Sequence, residues 1–563
     1  MTSEHSHTHH TTGLGRRTFL QASLASAAAV ATVTATDTNA HATVRASGLS
    51  RPSSAREISG PVRIDSGLAS GMPAARPSVT VFKGLPYAAS TAGPNRWRPP
   101  QPAPTWSGVR VADTVGDICP QGNMPGAPPK PPMSEDCLNL NVWTAAESSH
   151  DRRPVFVWIY GGRFTSGYGT DPTFDGAGLA EKGLVVVTFN YRTGPFGFLS
   201  TPELTAESPH GSSGNYGLLD QVAALKWVQR NIKAFGGDPD RVTIAGQSAG
   251  AASVLELINS PLAKGLVHRG ISESGARGTH DPEIAALAES YRPTLAGAER
   301  QGLTWAAQHK ATTLAQMRAL SVEELLDGLD DNDTTVEGPM NGNPPLFRPV
   351  LDGYVLARTY EESLSRGLHS DVPVITGNNK DESGASTAPG ATPTSYQATA
   401  SKKYGDLADE FLALYPAATN AEADAQTNAS ARDNSRVSTS LWATEWASRA
   451  KSPVFKYFWT HAPPGQTQGA YHGSEISYIF DNLYATDLPW TDDDRRIAHT
   501  MSRYVVNFAT HGDPNGRGLA HWAPSRPGAF TTMELGDDFG PLPDASAARR
   551  RFHERYFEAQ PPW

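Results

Sequence analysis

Cysteine is almost missing from this chain. Only Cys119 and Cys137 occur among 563 residues. That scarcity excludes a small disulfide-stapled scaffold and a four-ligand cysteine zinc site. Basic clusters are missing too. With 48 lysines and arginines against 57 acidic residues, the formal net charge is −9. No basic block is available to track a phosphate backbone or an anionic membrane, so no nucleic-acid partner is expected. Beyond the N-terminal segment no run of ~18 apolar residues occurs, so no membrane anchor is expected. Internal repeats are absent, which excludes a solenoid.

What is present begins with an export signal. Arg16-Arg17-Thr18-Phe19-Leu20 is a twin-arginine pair followed by hydrophobic residues, and an alanine-rich stretch runs from Ala22 to about Ala35. Ala40-His41-Ala42 places small residues for cleavage after Ala42. Residues 1–42 are therefore read as a signal for a secreted or extracytoplasmic protein. Residues 43–57 are read as a linker, and 58–563 as one large domain. The histidines at 5, 7, 9 and 10 belong to the leader. In an exported protein a single close cysteine pair favours a disulfide, so Cys119 and Cys137 are expected to close a short loop rich in proline and glycine.

The domain itself has 38% hydrophobic and 9% aromatic residues, enough for a large core. Val155 to Tyr160, Leu184 to Phe189, Val242 to Ala245 and Val374 to Thr376 are short apolar runs, as strands buried on both faces require. Leu218 to Phe235 carries apolar residues at helical spacing, and Gly236-Gly237 followed by Asp238-Pro239 ends it. Strand and helix in alternation predict an α/β fold with a mostly parallel sheet. Residues 281–335 and 383–450 read as helical insertions, and Asp330 to Pro345 as a long loop.

Gly246-Gln247-Ser248-Ala249-Gly250 carries the chemistry. A bare Gly-x-Ser-x-Gly is a weak signal in a chain with 52 glycines. Here a strand precedes it and a helix can follow it, the setting of a nucleophile elbow. A serine hydroxyl needs a base to take its proton, and that base needs a carboxylate to hold it. Many acids and several histidines lie downstream, so order alone does not choose them.

Wider motifs do. Phe82-Lys83-Gly84-Leu85-Pro86-Tyr87-Ala88, Glu135-Asp136-Cys137-Leu138-Asn139-Leu140-Asn141-Val142-Trp143, Asn190-Tyr191-Arg192 with Gly197-Phe198-Leu199, and Gly214-Asn215-Tyr216-Gly217-Leu218-Leu219-Asp220-Gln221 occur in this order. Phe235-Gly236-Gly237-Asp238-Pro239 then leads into the elbow, and Asn507-Phe508-Ala509 and Gly512-Asp513-Pro514-Asn515 follow near the end. Together they resemble the type B carboxylesterases, the family of cholinesterases and bacterial para-nitrobenzyl esterases. The resemblance implies an α/β-hydrolase fold with helices on both faces of the sheet and helical insertions near the active site. It implies a carboxylic ester hydrolase acting on small-molecule esters without metal or cofactor. It implies Ser248 as nucleophile, Glu382 as acid and His472 as base. The N–H groups of Gly162, Arg163 and Ala249 would form the oxyanion hole, supported from behind by Gln247, Ser274 and Glu475.

Several residues depart from the family pattern. Arg163 stands where glycine or alanine is usual, in Gly161-Gly162-Arg163-Phe164. Pointing into the pocket it could bind a substrate carboxylate. Pointing away is the favoured reading, because an unpaired buried guanidinium is costly. Gln247 replaces a glutamate and supplies no negative charge beside the imidazolium. Ser383 replaces a glycine after the acid. Ser274 either supports the triad or caps a helix. The loop between the cysteines has no Phe, Trp or Tyr, so no π face for a quaternary ammonium and no choline-ester specialisation are expected. Two other functions share the fold: acyl transfer with the same triad, and non-catalytic adhesion, which the retained triad residues disfavour.

Overall fold

The computed structural model describes residues 58, 60–122, 129–283, 291–335, 343–386 and 388–562. The export segment 1–42 and the linker 43–57 that follows it fall before this range, so both expectations lie outside the described residues. Among the described residues there are fourteen strands. β1 (Val62–Ile64), β2 (Gly67–Ser70) and β5 (Val109–Val111) make a small sheet. The other eleven form one sheet in the order β14-β13-β12-β11-β10-β9-β7-β8-β6-β4-β3. They are β3 (Met72–Pro73), β4 (Thr80–Pro86), β6 (Asn139–Thr144), β7 (Arg153–Ile159), β8 (Val185–Phe189), β9 (Gly237–Gln247), β10 (Arg269–Glu273), β11 (Val374–Asn379), β12 (Val454–Trp459), β13 (Thr531–Leu535) and β14 (Phe539–Pro543). From β13 through β12, β11, β10, β9 and β7 to β8 every pairing is parallel, and the edges are antiparallel.

The apolar runs explain this sheet. In β7, Val155, Val157 and Ile159 join one core cluster, while Phe156 and Trp158 join another on the opposite face. β8 divides the same way, with Val185 and Val187 on one side and Val186 on the other. Period-two alternation between two apolar layers is what a strand covered on both faces requires. The insertion expected over 383–450 is helical, with Pro393–Tyr404, Ala408–Leu414 and Asn420–Arg449. It has a third core, where Tyr404, Phe411 and Tyr415 pack on Phe552 and Tyr556 of the helix Ala547–Glu558.

Three expectations need adjustment. The helix read over 218–235 is Tyr216–Asn231 plus a 3-10 turn, Ile232–Phe235, and Gly236 closes it at φ 78°. Asp238-Pro239, read as lying beyond that stop, falls inside β9. The ladder to β7 shifts register between Arg153 and Val155, so the missing proline N–H interrupts no regular pairing. The expected disulfide is not formed. Cys119 and Cys137 are free, buried thiols. They share a hydrogen bond, and Cys119 Sγ also accepts the Thr193 N–H at 3.4 Å. The two sulfurs are therefore neighbours that meet without a covalent link.

Candidate active site

The strand–helix corner at Ser248 is built by close approach. β9 ends at Gln247 and the helix Ala249–Asn259 begins one residue later. Ser248 takes φ 59° and ψ −126°, a conformation that costs an L-residue about 1–3 kcal/mol. A Cβ on Gly250 would lie 2.0 Å from the Ile159 carbonyl oxygen, and one on Gly246 would lie 2.5 Å from that of Gly250. Only glycine fits either place. The Ser248 N–H is used by the Glu273 carbonyl at 2.9 Å. That of Ala249 lies in the first helical turn, where no earlier helical carbonyl can accept it.

β9, β10, β11 and β12 are adjacent and parallel, so their C-terminal ends form one edge. Ser248 follows β9, Ser274 follows β10, Glu382 follows β11 and His472 lies beyond β12. His472 Nδ1 and Glu382 Oε2 are 2.5 Å apart. Glu382 Oε1 accepts the Asn379 N–H at 2.8 Å. Burial pushes the Glu382 carboxyl up, but the imidazole, the Asn379 N–H and the Ser274 hydroxyl outweigh it and hold it below the usual range. An ionised carboxylate only accepts, so Nδ1 carries the proton and Nε2 presents its lone pair. The histidine loop also reaches the elbow, because a Cβ on Gly473 would lie 3.7 Å from the Gln247 side chain.

Asn379 and Asp381 stitch the acid and base segments together. Asn379 Nδ2 donates to the Tyr471 carbonyl at 2.8 Å and to Glu475 Oε2. Asp381 exchanges two hydrogen bonds with Ala470, at 3.0 and 2.9 Å, and accepts from Arg432 at 2.6 Å. Neither residue was singled out in the sequence, although both stand in the motif Asn379-Lys380-Asp381-Glu382. Glu475 and Glu273 form a buried carboxyl pair beneath them. Burial raises Glu475 to about 7, with the Glu382 charge adding to it, and burial together with the Glu475 charge raises Glu273 well above its ordinary value. Ser274 begins no helix. It follows β10 at φ 58°, with its hydroxyl buried beside Glu382.

Gln247 is buried, and its Nε2 has no hydrogen-bond partner among the described residues. A negative charge here would favour the protonated imidazole, which is the inactive form of a base. Gln247→Glu should therefore move the acid limb of the rate–pH profile upward by roughly one unit. A limb that stays in place would refute this role.

The turn after β7 packs directly on Ser248. A Cβ on Gly161 would lie 2.6 Å from the Gln247 carbonyl and 3.0 Å from Ser248 Cβ. Gly162 has φ 105°, and Arg163 and Phe164 follow at 59° and 61°. Arg163 thus adopts the left-handed region at some strain. Its side chain is half-buried, and Nη2 donates to Asn332 Oδ1 at 3.0 Å.

Comparison with known proteins shows the family. The carboxylesterase family profile matches residues 60–543. The chain is 37% identical over 465 residues to a fumonisin B1 esterase of Sphingopyxis macrogoltabida, covering 79% of this chain and 81% of that protein. It is 34% identical over 452 residues to the para-nitrobenzyl esterase of Bacillus subtilis (strain 168), covering 77% and 86%. A solved PNB esterase structure superposes with a TM-score of 0.72 at 30% identity, covering 88% of this chain and 99% of that one.

Proposed function

Because the chain belongs to the carboxylesterase family and is a carboxylic ester hydrolase, we propose that it works through Ser248, His472 and Glu382. His472 Nε2 takes the Ser248 proton as Oγ attacks the ester carbonyl carbon. The tetrahedral oxyanion is received by the N–H groups of Gly162, Arg163 and Ala249, each worth about 3 kcal/mol in the transition state. The C–O bond to the alcohol breaks, and the leaving oxygen takes the proton from His472. Water then attacks the acyl-enzyme with the same histidine as base, releasing the acid and restoring Ser248. The observation that carries this reading is the 2.5 Å contact of His472 Nδ1 with a Glu382 held in its ionised form.

A fluorophosphonate probe tests it. One label per chain is expected on the wild type and none on Ser248→Ala; labelling that survives the substitution refutes the assignment. We also propose export through residues 1–42, supported by Arg16-Arg17 and the alanine-rich stretch. Protein recovered outside the cytoplasm should begin at residue 43, and an intact N-terminus there would overturn it.

A further inference from the structure

We propose that Arg432, acting through Asp381, is a positioning residue for the triad carboxylate, so that the helix Asn420–Arg449 of the insertion sets how Glu382 meets His472. The proposal rests on the assignment of Ser248, His472 and Glu382. It adds a residue that acts on Glu382 only through its neighbour.

Glu382 stands beyond the end of β11, in a segment whose pairing is reduced to the single bridge of Asp381 with Tyr471. The bonds from Asn379 and His472 hold the carboxylate, but they leave the main chain of the acid segment to other contacts. Asp381 supplies them. Its N–H donates to the Ala470 carbonyl at 3.0 Å, and its Oδ2 accepts the Ala470 N–H at 2.9 Å. A Cβ on Gly469, which has φ 73°, would lie 2.2 Å from the same Oδ2, so the histidine loop is pressed against this carboxylate. Ala470 and Tyr471 directly precede His472. The residue before the acid and the residues before the base are therefore fixed to each other.

A buried carboxylate needs a compensating cation. Asp381 is only 6% exposed, and Arg432 Nη2 donates to its Oδ1 at 2.6 Å. Arg432 Nε donates to the Lys380 carbonyl at 3.2 Å, so the guanidinium grips two consecutive residues of the acid segment. With Oδ1 on Arg432 and Oδ2 on Ala470, the Asp381 carboxylate cannot rotate without losing one of its bonds. Both are charge-assisted, which makes the loss costly.

The helix that carries Arg432 is itself a brace. Asn428 Nδ2 donates to the Ala385 carbonyl at 2.8 Å, past the acid. Thr439 donates to the Ala276 carbonyl at 2.9 Å, and the Gly278 N–H donates to the Ser438 carbonyl at 3.1 Å. Ala276 and Gly278 continue the segment that Ser274 begins, and the Ser274 hydroxyl lies beside Glu382. Residues 428 to 439 cover about 16 Å of helix. One rigid element thus spans the segments after β10 and β11. This gives its buried polar residues, among them Ser438 and Thr439, a task that apolar side chains could not perform.

Arg432→Met tests the proposal. Its side chain is 29% exposed, so the fold should accept the change, which thermal unfolding checks. For a nitrophenyl ester kcat should fall roughly 10-fold with KM held within about 3-fold, because a small misplacement of a catalytic group is expensive. The acid limb of the rate–pH profile supplies a sign that a merely structural role would not give. Removing a cation would by charge alone move the limb upward. Loosening Glu382 from the imidazole moves it to lower pH, and a shift of roughly half a unit in that direction is expected. Arg432→Lys keeps a cation on Asp381 and should recover most of kcat and return the limb. Asp381→Asn should reproduce the loss, and adding Arg432→Met to it should cost little more, since both break one link. A folded Arg432→Met with kcat within about 2-fold of wild type overturns the proposal. So does a limb that stays in place or moves upward, or an Arg432→Lys that rescues nothing. If Asp381→Asn does not fold, the two Arg432 variants decide alone. Glu382→Gln keeps the two readings apart. Full activity there would sink the triad assignment, whereas collapse there beside an unaffected Arg432→Met would sink only this proposal.

Discussion

Ser248→Ala is expected to lower kcat for a nitrophenyl ester by about 10⁶-fold, or roughly 8 kcal/mol of transition-state stabilisation. No other side chain at this corner can replace the nucleophile. The Ser248 backbone is locked by its N–H bond to Glu273 and by the glycines on either side. Alanine keeps the same Cβ in the same left-handed conformation, so the fold should stay and thermal unfolding should barely move. The oxyanion donors are backbone groups and survive as well. Some catalysis above the uncatalysed rate should therefore remain, of order 10³-fold, from binding and the hole alone. Hydrolysis above about 1% of the wild-type rate, with the protein folded, would place the nucleophile elsewhere.

The nucleophile was the legible part of the site because its requirements are local. A strand, two glycines and a helix within about a dozen residues suffice to make the corner, and each leaves a mark in the sequence. The central strands were legible for a similar reason. Val155–Ile159 is apolar without interruption, and Val185–Phe189 is broken only by Thr188, because both their faces are covered. Pairing across the chain left no such mark. Glu382 and His472 are 90 positions apart and meet only when β11 and β12 lie side by side. Family motifs named them, and neither residue's local sequence would have done so. Asn379 and Asp381 escaped notice because their work is done on Tyr471, Glu475 and Ala470, which the strand order alone brings near. Arg163 was visible as a departure, while its partner was not. Asn332 sits 169 positions away on a segment whose composition reads only as loop. The buried Asp333 with two arginines fixes the residue next to Asn332, and burial is a property of the fold.

Glu382→Gln should cost about 10⁴-fold in kcat while leaving the three-dimensional arrangement in place. The carboxylate does two things that an amide cannot do together. It accepts a hydrogen bond from Nδ1–H, which fixes the tautomer, and its charge stabilises the imidazolium formed as Ser248 attacks. Glutamine can still offer an oxygen to Nδ1. The Asn379 N–H now bound by Glu382 Oε1 also needs an acceptor, however, and a carboxamide has only one oxygen for the two. If the oxygen turns to Asn379, the amide nitrogen faces Nδ1 and forces the proton to Nε2, where it blocks the base. The pH profile separates this from a packing defect. Losing a negative charge destabilises the imidazolium, so the acid limb should move to lower pH even as kcat falls. That is opposite in sign to Gln247→Glu, which adds a charge beside the histidine loop. A rate within 10-fold of wild type would show that Glu382 only packs against His472. A large loss with an acid limb displaced upward would mean that the imidazole had gained a different anionic partner, and the nearest candidate is Glu475, held under Asn379 with a carboxyl that burial raises to about 7.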